Sequence, residues 1–528
     1  MGHPQKVAED EVKLGASAAF VLPDLGGLRA GDAGAGPSVV DLGERALTAT
    51  YWDTKDLRLT RAGLSLRHRS AGDGSEQGWT VKLPVAGGRG APAEEATLRR
   101  SEVAFSGPDD EPPAEAAALV LATTRGRSLE PVARLVTTRG RRHILDAEGR
   151  IALEVADDEV SVLDGQGAGG RFREIEVELA PGDNDGPALL PLVVGCLREA
   201  GAGAPDPTPK IVRALGPRAL APPDVAPPDH AVGEVGAKAA AAVVVKAAIA
   251  AGTCRLVAHD PGVRLGGDDE DVHQARVATR RLRSDLATFR PLLDRGWVAD
   301  VRAELGWLAG ELGAARDADV LLARLQRQTA QLGRADAAAA APLLRALENE
   351  RVRAGARAGA ALTTPRYVAL LDQMVAASQM PPLTDAAQER AADVVPRLVG
   401  KAWRHLAKAV DQVGDDAPAE LLHEVRKKAK RCRYACEAAT GVCGKDAKKL
   451  AAAVAGVQEV LGELQDAAVA EVWLRSRAVG LKGAGAAGCA FSAGLLTGVQ
   501  QRAADEAVRG WRGAWEAASD KKRRRWLT

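Results

Sequence analysis

The chain has 528 residues, 46% of them apolar and 27% charged, with a net charge of +1; this ordinary balance fits two to four globular domains. Near-neutrality excludes a globally cationic surface, so any polyanion site must be local. Aromatic residues are only 3%, which argues against base stacking and specific nucleic-acid recognition. Six cysteines (Cys196, Cys254, Cys432, Cys436, Cys443 and Cys489) form no C-x-x-C pair and no zinc spacing. Cys432 and Cys436 share the apolar face of a predicted helix and read as buried free thiols. The start, Met-Gly-His-Pro-Gln-Lys, has no apolar leader, and no run of 18 apolar residues occurs. A soluble, cytoplasmic protein with no membrane partner is expected.

Residues 1–215 read as an all-β domain. Alternating or β-branched runs occur at 9–13, 64–69, 79–83, 98–105, 134–145, 151–163 and 172–179, separated by Gly/Pro/Asp-rich turns. In Arg-Phe-Arg-Glu174-Ile-Glu176-Val-Glu178-Leu the carboxylates take one face and Ile175, Val177 and Leu179 the other. Short helical patterns appear near 112–124 and 186–201, and an antiparallel sheet closed into a barrel is expected. Residues 216–231 are Pro-rich and read as a stiff linker. From 232 to 515 the pattern is helical, an all-α domain of roughly eight to twelve helices with breaks near 260–270, 332–337, 379–384, 414–418 and 480–488. The Gly-rich run at 480–488 reads as a loop without nucleotide-binding context. Residues 516–528 read as a basic, solvated tail.

Two signals carry chemistry. In Glu9-Asp-Glu11-Val-Lys13 the two carboxylates and the ammonium share one strand face, because side chains alternate with period two. Basic positions follow at Arg67, Arg69 and Lys82, and acidic ones at Glu154, Glu174, Glu176 and Glu178. Each motif alone is compatible with an exposed amphipathic strand. Together they would place both signs of charge inside a barrel, which is costly unless a metal-bound polyanion sits there. Hard carboxylate oxygens suit Mg²⁺ or Mn²⁺, and Arg and Lys suit phosphate oxygens.

These residues, with Tyr51-Trp-Asp-Thr54, Gly-Leu-Ser-Leu-Arg67-His-Arg69, Trp79-Thr-Val-Lys82-Leu-Pro and Glu-Ile-Glu-Val-Glu-Leu, resemble a CYTH domain, the family of triphosphate tunnel metalloenzymes. The resemblance implies metal ligation by Glu9, Glu11, Glu174 and Glu176, with Glu154 near them and in a catalytic role alongside Lys13. It also implies triphosphate binding by Arg67, Arg69, Lys82, Arg139 and Lys210. Arg141 and Arg142 compete for the place of Arg139, and Glu178 could displace Glu174. Metal and cations would neutralise a triphosphate of charge about −4 and the charge that builds on its leaving group.

The second signal is an internal repeat. With His273 at zero and 100° per residue, Arg276, Arg280 and Arg283 fall at roughly 300°, 340° and 280°, while Ala275, Leu282, Leu286 and Phe289 fall at about 160° to 220°. The stripe returns one copy later: His423, Arg426, Arg431 and Arg433 match His273, Arg276, Arg281 and Arg283, and Lys430 matches Arg280. Downstream, Leu312-Gly-Ala-Ala-Arg316-Asp317 matches Leu461-Gly-Glu-Leu-Gln465-Asp466. The copies span about 235–375 and 385–515. A solvated helix face normally mixes signs at i,i+4, whereas this stripe holds no acidic residue of its own. Arginines beside them should push the histidines towards neutrality.

This half resembles a CHAD domain, a conserved-histidine helical module that follows CYTH domains and binds inorganic polyphosphate. The resemblance implies polyphosphate contacts from His273, Arg276, Arg280, Arg281, Arg283, His423, Arg426, Lys427, Lys430, Arg431 and Arg433. Gln465 in place of Arg316, and Ala468 in place of Asp319, depart from the pattern in the second copy. His3, His143 and His405 have no partner at ligand spacing and read as structural or exposed. The expected protein is a metal-dependent inorganic triphosphatase joined to a polyphosphate-binding module, in the cytoplasm and on polyphosphate granules. A granule-associated adaptor without turnover is the rival, and an adenylyl cyclase-like activity would need a nucleoside pocket not evident in the chain.

Overall fold

A computed structural model describes residues 6–26, 28, 38–72, 74, 77–84, 98–165, 170–182, 184–226, 236–266, 269–414, 418–483 and 485–527. His3 and residues 227–231 of the expected linker lie outside them. The chain forms two compact units, Met1–Asp224 and Val225–Thr528.

In the first unit eight antiparallel strands close a barrel: β1 (Lys6–Ala16), β2 (Ser38–Asp53), β3 (Ser65–Ala71), β4 (Gln77–Pro84), β5 (Leu98–Phe105), β6 (Glu130–Leu145), β7 (Ile151–Gly165) and β8 (Arg171–Leu179), in the order β1-β5-β4-β3-β2-β6-β7-β8. The reading of an antiparallel barrel is correct, but one strand was missed. β2 begins Ser-Val-Val-Asp-Leu-Gly-Glu-Arg, whose alternation breaks at Gly43, where φ is +75°. The register with β6 shifts there, between Asp41 and Glu44. A bulge of this kind hides a strand from any period-two test.

Alternation sorts the side chains. Val12, Leu14, Val155, Ile175 and Val177 point outward and pack with Leu189, Val193 and Leu197 of a covering helix, Gly186–Glu199. That leaves the opposite face of the same strands, with its charges, to the interior. Of the short helices Arg58–Arg61, Ala114–Leu119, Leu121–Thr124 and Lys210–Leu215, the last brings Ile211 against the inward-facing Ala49, Tyr51 and Leu135. The stretch read as linker begins with a 3-10 turn, Gly216–Leu220, whose Ala219 joins this cluster.

The second unit is helical. Its helices, numbered here on their own, are α1 (Ala241–Leu265), α2 (Asp269–Thr288), α3 (Arg295–Thr329), α4 (Arg334–Leu362), α5 (Pro365–Gln379), α6 (Ala391–Asp411), α7 (Ala419–Ala438), α8 (Thr440–Val479, kinked at Gly444) and α9 (Ala486–Ala518). The two copies of the basic stripe are α2 and α7. Leu321, Leu325, Leu343 and Leu347 of the first copy share a core with Ala470, Leu474, Cys489, Ala493 and Leu496 of the second. α1 is long and apolar enough to cross a membrane by composition, yet Val244, Val245, Ile249 and Leu256 are buried inside the unit. Cys432 and Cys436 are buried free thiols, as expected. In the basic end Lys521–Arg524 forms a 3-10 turn and Arg524 lies 5.1 Å over the Trp403 ring.

Candidate functional sites: a charged tunnel and a cationic groove

The barrel encloses a cavity of about 420 Å³. Strand register explains its lining. Glu11 pairs with Glu178, Lys13 with Glu176, Asp158 with Glu174, and Arg139 with Asp158, so facing inward at one position compels it at the next. Nine cations line the cavity (Lys13, Arg45, Arg67, Arg69, Lys82, Arg100, Arg139, Arg141 and Lys210) against six carboxylates, Glu9, Glu102, Glu154, Asp158, Glu176 and Glu178. Glu11 and Glu174 lie buried among the same strands.

The charged barrel residues implied as metal ligands or phosphate contacts are therefore in or beside one cavity. Arg139 and Arg141 both line it, while Arg142 points away to Asp41 at 3.3 Å. Asp158 was missed: within Ala-Asp157-Asp158-Glu it looks like one acid in a run, and only the pairing with β6 and β8 turns it inward. Arg45, Arg100 and Glu102 were missed as well, the first because β2 was. His143 does have a partner, contrary to expectation, since its Nε2 is 3.1 Å from Glu154 Oε2. Within Tyr51-Trp-Asp-Thr54 the roles divide. Tyr51 lines the cavity, whereas Asp53 accepts hydrogen bonds from the amides of Thr54, Leu59 and Thr60 and fixes the following turn.

Asp158, Glu174 and Glu176 bring carboxylate oxygens within 4.8 Å of one another, all buried. Lys210 Nζ lies among them, 2.8 Å from Asp158, 2.6 Å from Glu174 and 2.7 Å from Glu176. Lys13 Nζ is 2.5 Å from Glu176 and 3.2 Å from Glu11. Burial alone would raise the Glu176 carboxyl, but Lys13, Lys210 and Arg139 outweigh it and hold the group well below the usual range. Glu178 moves the other way, to about 7, through burial and the charges of Glu9 and Glu11. Glu174 Oε2 and Arg67 Nε are buried without a hydrogen-bond partner.

This donor set fits a hard divalent cation. Its oxygens converge, an ammonium already takes the position of a cation, and acceptor capacity is left over. Lys210 itself offers a test. Lys210→Ala leaves three buried carboxylates under-compensated and is expected to cost about 3 kcal/mol in chelator. Faster hydrogen exchange in β1 and β8 would report it, and Mn²⁺ should slow that exchange again. Unchanged exchange in chelator would show that Lys210 does not neutralise the cluster.

In the helical unit α2 and α7 pack against each other and bring the two stripes together. Arg276 lies over Gly313 and Arg426 over Gly462, where an added Cβ would sit 4.0 and 3.8 Å from the guanidinium. Equivalent residues of the two copies thus occupy equivalent surroundings. Arg283 Nε, Arg426 Nε and His423 Nδ1 are buried without hydrogen-bond partners. The stripe is not free of acids, contrary to the sequence reading: some come from other helices and some from its own, with Asp285 3.6 Å from Arg281 and Glu437 3.3 Å from Arg433. Arg276 meets Asp317 at 2.7 Å and Arg426 meets Asp466 at 4.0 Å. Arg281 pairs with Glu437 at 2.5 Å, and Lys427, which is exposed, pairs with Glu424. His273 is lowered as expected, by burial and then by Arg316, Arg280 and Arg276. Lys430 is held at about 7 by burial and by Arg426, Arg280 and Arg276.

Comparison with known proteins identifies both domains. Residues 29–188 match the CYTH domain and residues 247–475 the CHAD domain. Glu9, Glu11, Lys13 and Lys210 lie outside the first match; strand pairing carries Glu9, Glu11 and Lys13 to the cavity wall, and the helix Lys210–Leu215 carries Lys210. A Mycobacterium tuberculosis protein described as uncharacterized is 32% identical over 490 residues, 88% of this chain and 87% of its own. Among solved structures, PptA from Streptomyces chartreusis is similar with a TM-score of 0.46 at 25% identity, covering 53% of this chain and 100% of its own. The CHAD domain of Ricinus communis gives 0.46 at 28% identity, covering 55% and 96%.

Proposed function

The chain belongs to the proteins that join a CYTH domain to a CHAD domain, and we propose that its barrel hydrolyses inorganic triphosphate, or the end of a polyphosphate, while its helical unit binds the polymer. CYTH domains are metal-dependent, and both families bind phosphate compounds such as triphosphate and polyphosphate. The observation that carries the hydrolytic reading is the charge balance of the tunnel. The nine lining cations face six lining carboxylates, and buried Glu11 and Glu174 bring the interior close to neutral. A triphosphate of charge about −4 therefore needs further positive charge from a bound metal.

Asp158, Glu174 and Glu176 would hold Mg²⁺ or Mn²⁺, with Glu11 linked to them through Lys13 and Glu9 held apart by Lys82. When bound, that ion supplies charge neutralisation and a water of lowered pKa. Arg67, Arg69, Lys82, Arg139 and Arg141 grip the phosphate oxygens, their forked guanidinia suiting bidentate contacts. Lys13 and Lys210, which neutralise the carboxylates here, would be available to phosphate oxygens were a divalent cation held by those carboxylates.

The test is phosphate release from tripolyphosphate with Mg²⁺ or Mn²⁺ and with chelator. Intact polyphosphate binding without metal-dependent turnover would leave the adaptor reading in its place. Enrichment with polyphosphate granules on fractionation is expected under both.

For the groove, the carrying observation is the pair of buried, unpartnered Nε–H donors on Arg283 and Arg426, which an incoming acceptor would satisfy. Lys430 adds a pH signature. Its folded value, about 7, is below the ordinary 10.5, so the unfolded chain holds the extra proton between them. This group's penalty on stability is complete below pH 7 and fades as pH rises towards 10.5. A bound polyanion restores the charge, so binding at pH 8 is expected to take up about one proton. Calorimetry in two buffers of different ionisation enthalpy measures it. Lys430→Met should abolish the uptake, and equal heats for the unaltered protein would count against it.

A further inference from the structure

The second copy of the repeat carries a residue with no counterpart in the first: Tyr434 stands where the first copy has Ser284. It is 2% exposed and lies at the seam between α2 and α7. Arg280, from the opposite copy, donates from Nε to its hydroxyl at 2.8 Å. Three guanidinium groups surround its ring: Arg280 at 5.7 Å, Arg281 at 5.8 Å and Arg433 at 4.9 Å from the centroid.

Three like charges converging at a seam repel one another and need a reason to stay. Glu437, one turn further along α7, supplies part of it, meeting Arg281 at 2.5 Å and Arg433 Nε at 3.3 Å. Arg281 and Arg433 are thereby engaged with a carboxylate. Arg280 differs, because its partner at the seam is the neutral phenol. A phenol oxygen and a π-face orient a guanidinium without cancelling its charge. Arg280 is thus fixed in direction and still fully cationic towards the groove, where it faces Lys430.

We propose that Tyr434 is a positioning residue that holds Arg280 across the seam, joining the stripes of the two copies into one polyanion-binding track. The inference rests on the polyphosphate reading of the groove. Holding the cation beforehand removes the entropy of ordering a long side chain on binding.

The experiment is a double-mutant cycle on the full chain, with polyphosphate of defined length at low salt as probe. Tyr434→Phe keeps the ring and deletes only the acceptor of Arg280. It should weaken binding about fivefold to tenfold in the unaltered background and have no further effect when Arg280 is already Ala. An unchanged circular dichroism melt separates this from a packing defect. Equal weakening in both backgrounds, or none in either, overturns the proposal and leaves Tyr434 a core residue. If the unaltered protein fails to bind polyphosphate, the polymer reading of the groove falls first and this role falls with it.

Discussion

Glu176→Gln is expected to lower metal-dependent phosphate release from tripolyphosphate by about 10²- to 10³-fold. Glu176 touches Lys13, Lys210 and Arg139, at 2.5, 2.7 and 2.6 Å, and shares the convergent carboxylate cluster with Asp158 and Glu174. The amide has the same shape but neither charge nor full acceptor capacity. Metal affinity and the placement of all three cations therefore change together. Polyphosphate binding by the other unit should not move, because none of these residues belongs to it. Measuring release against Mn²⁺ concentration separates a lost metal, seen as a raised requirement, from lost chemistry, seen as a lowered plateau. Full activity in Glu176→Gln would remove the cluster from the reaction.

Replacing Arg276 and Arg426 together by Glu is expected to weaken polyphosphate binding at low salt by about 10³-fold, and to make the slope of log K against log salt shallower by about 1.5. These two residues are equivalents in the repeat, each lying over a glycine of the following helix. Each also has an acidic neighbour, Asp317 or Asp466, which a glutamate would repel. The Gln pair guards against misfolding; it removes the charges without inverting them and should give a smaller loss in the same direction. Tripolyphosphate turnover should survive both pairs. Unchanged affinity and slope would mean that polyphosphate, if bound, is held elsewhere.

The site was legible where local pattern and chemistry coincide. Glu9, Glu11 and Lys13 alternate on one strand, as do Glu174, Glu176 and Glu178, and period two is a property of any strand. The basic stripe of α2 was legible because helical geometry is equally local, and its return at α7 turned one amphipathic helix into a duplicated site. Asp158 was not legible, because Asp157 beside it is the same residue facing outward to Arg173. β2 escaped because Gly43 interrupts its alternation, and Arg45 escaped with it. Of the acids that meet the stripe, Asp317 and Asp466 sit on the following helices, whereas Glu437 lies on α7 one turn past Arg433 and Asp285 on α2 one turn past Arg281. Only Asp317 and Asp466 lay beyond a reading of α2 or α7 alone; Asp285 and Glu437 stand at i,i+4 from stripe arginines.

The amino-acid sequence by itself determined the two-part organisation, the barrel, the helical repeat and the sign of each polar face, since these follow from periodicity and side-chain charge. Only the tertiary structure decided which charges meet. Register set Glu11 opposite Glu178, and docking of the helix Lys210–Leu215 put Lys210 among three carboxylates. The packing of α2 on α7 placed one tyrosine against arginines of both copies. Electrostatic energy depends on distances of a few ångströms between groups far apart in the chain, and closing the barrel and docking the helices is what sets those distances.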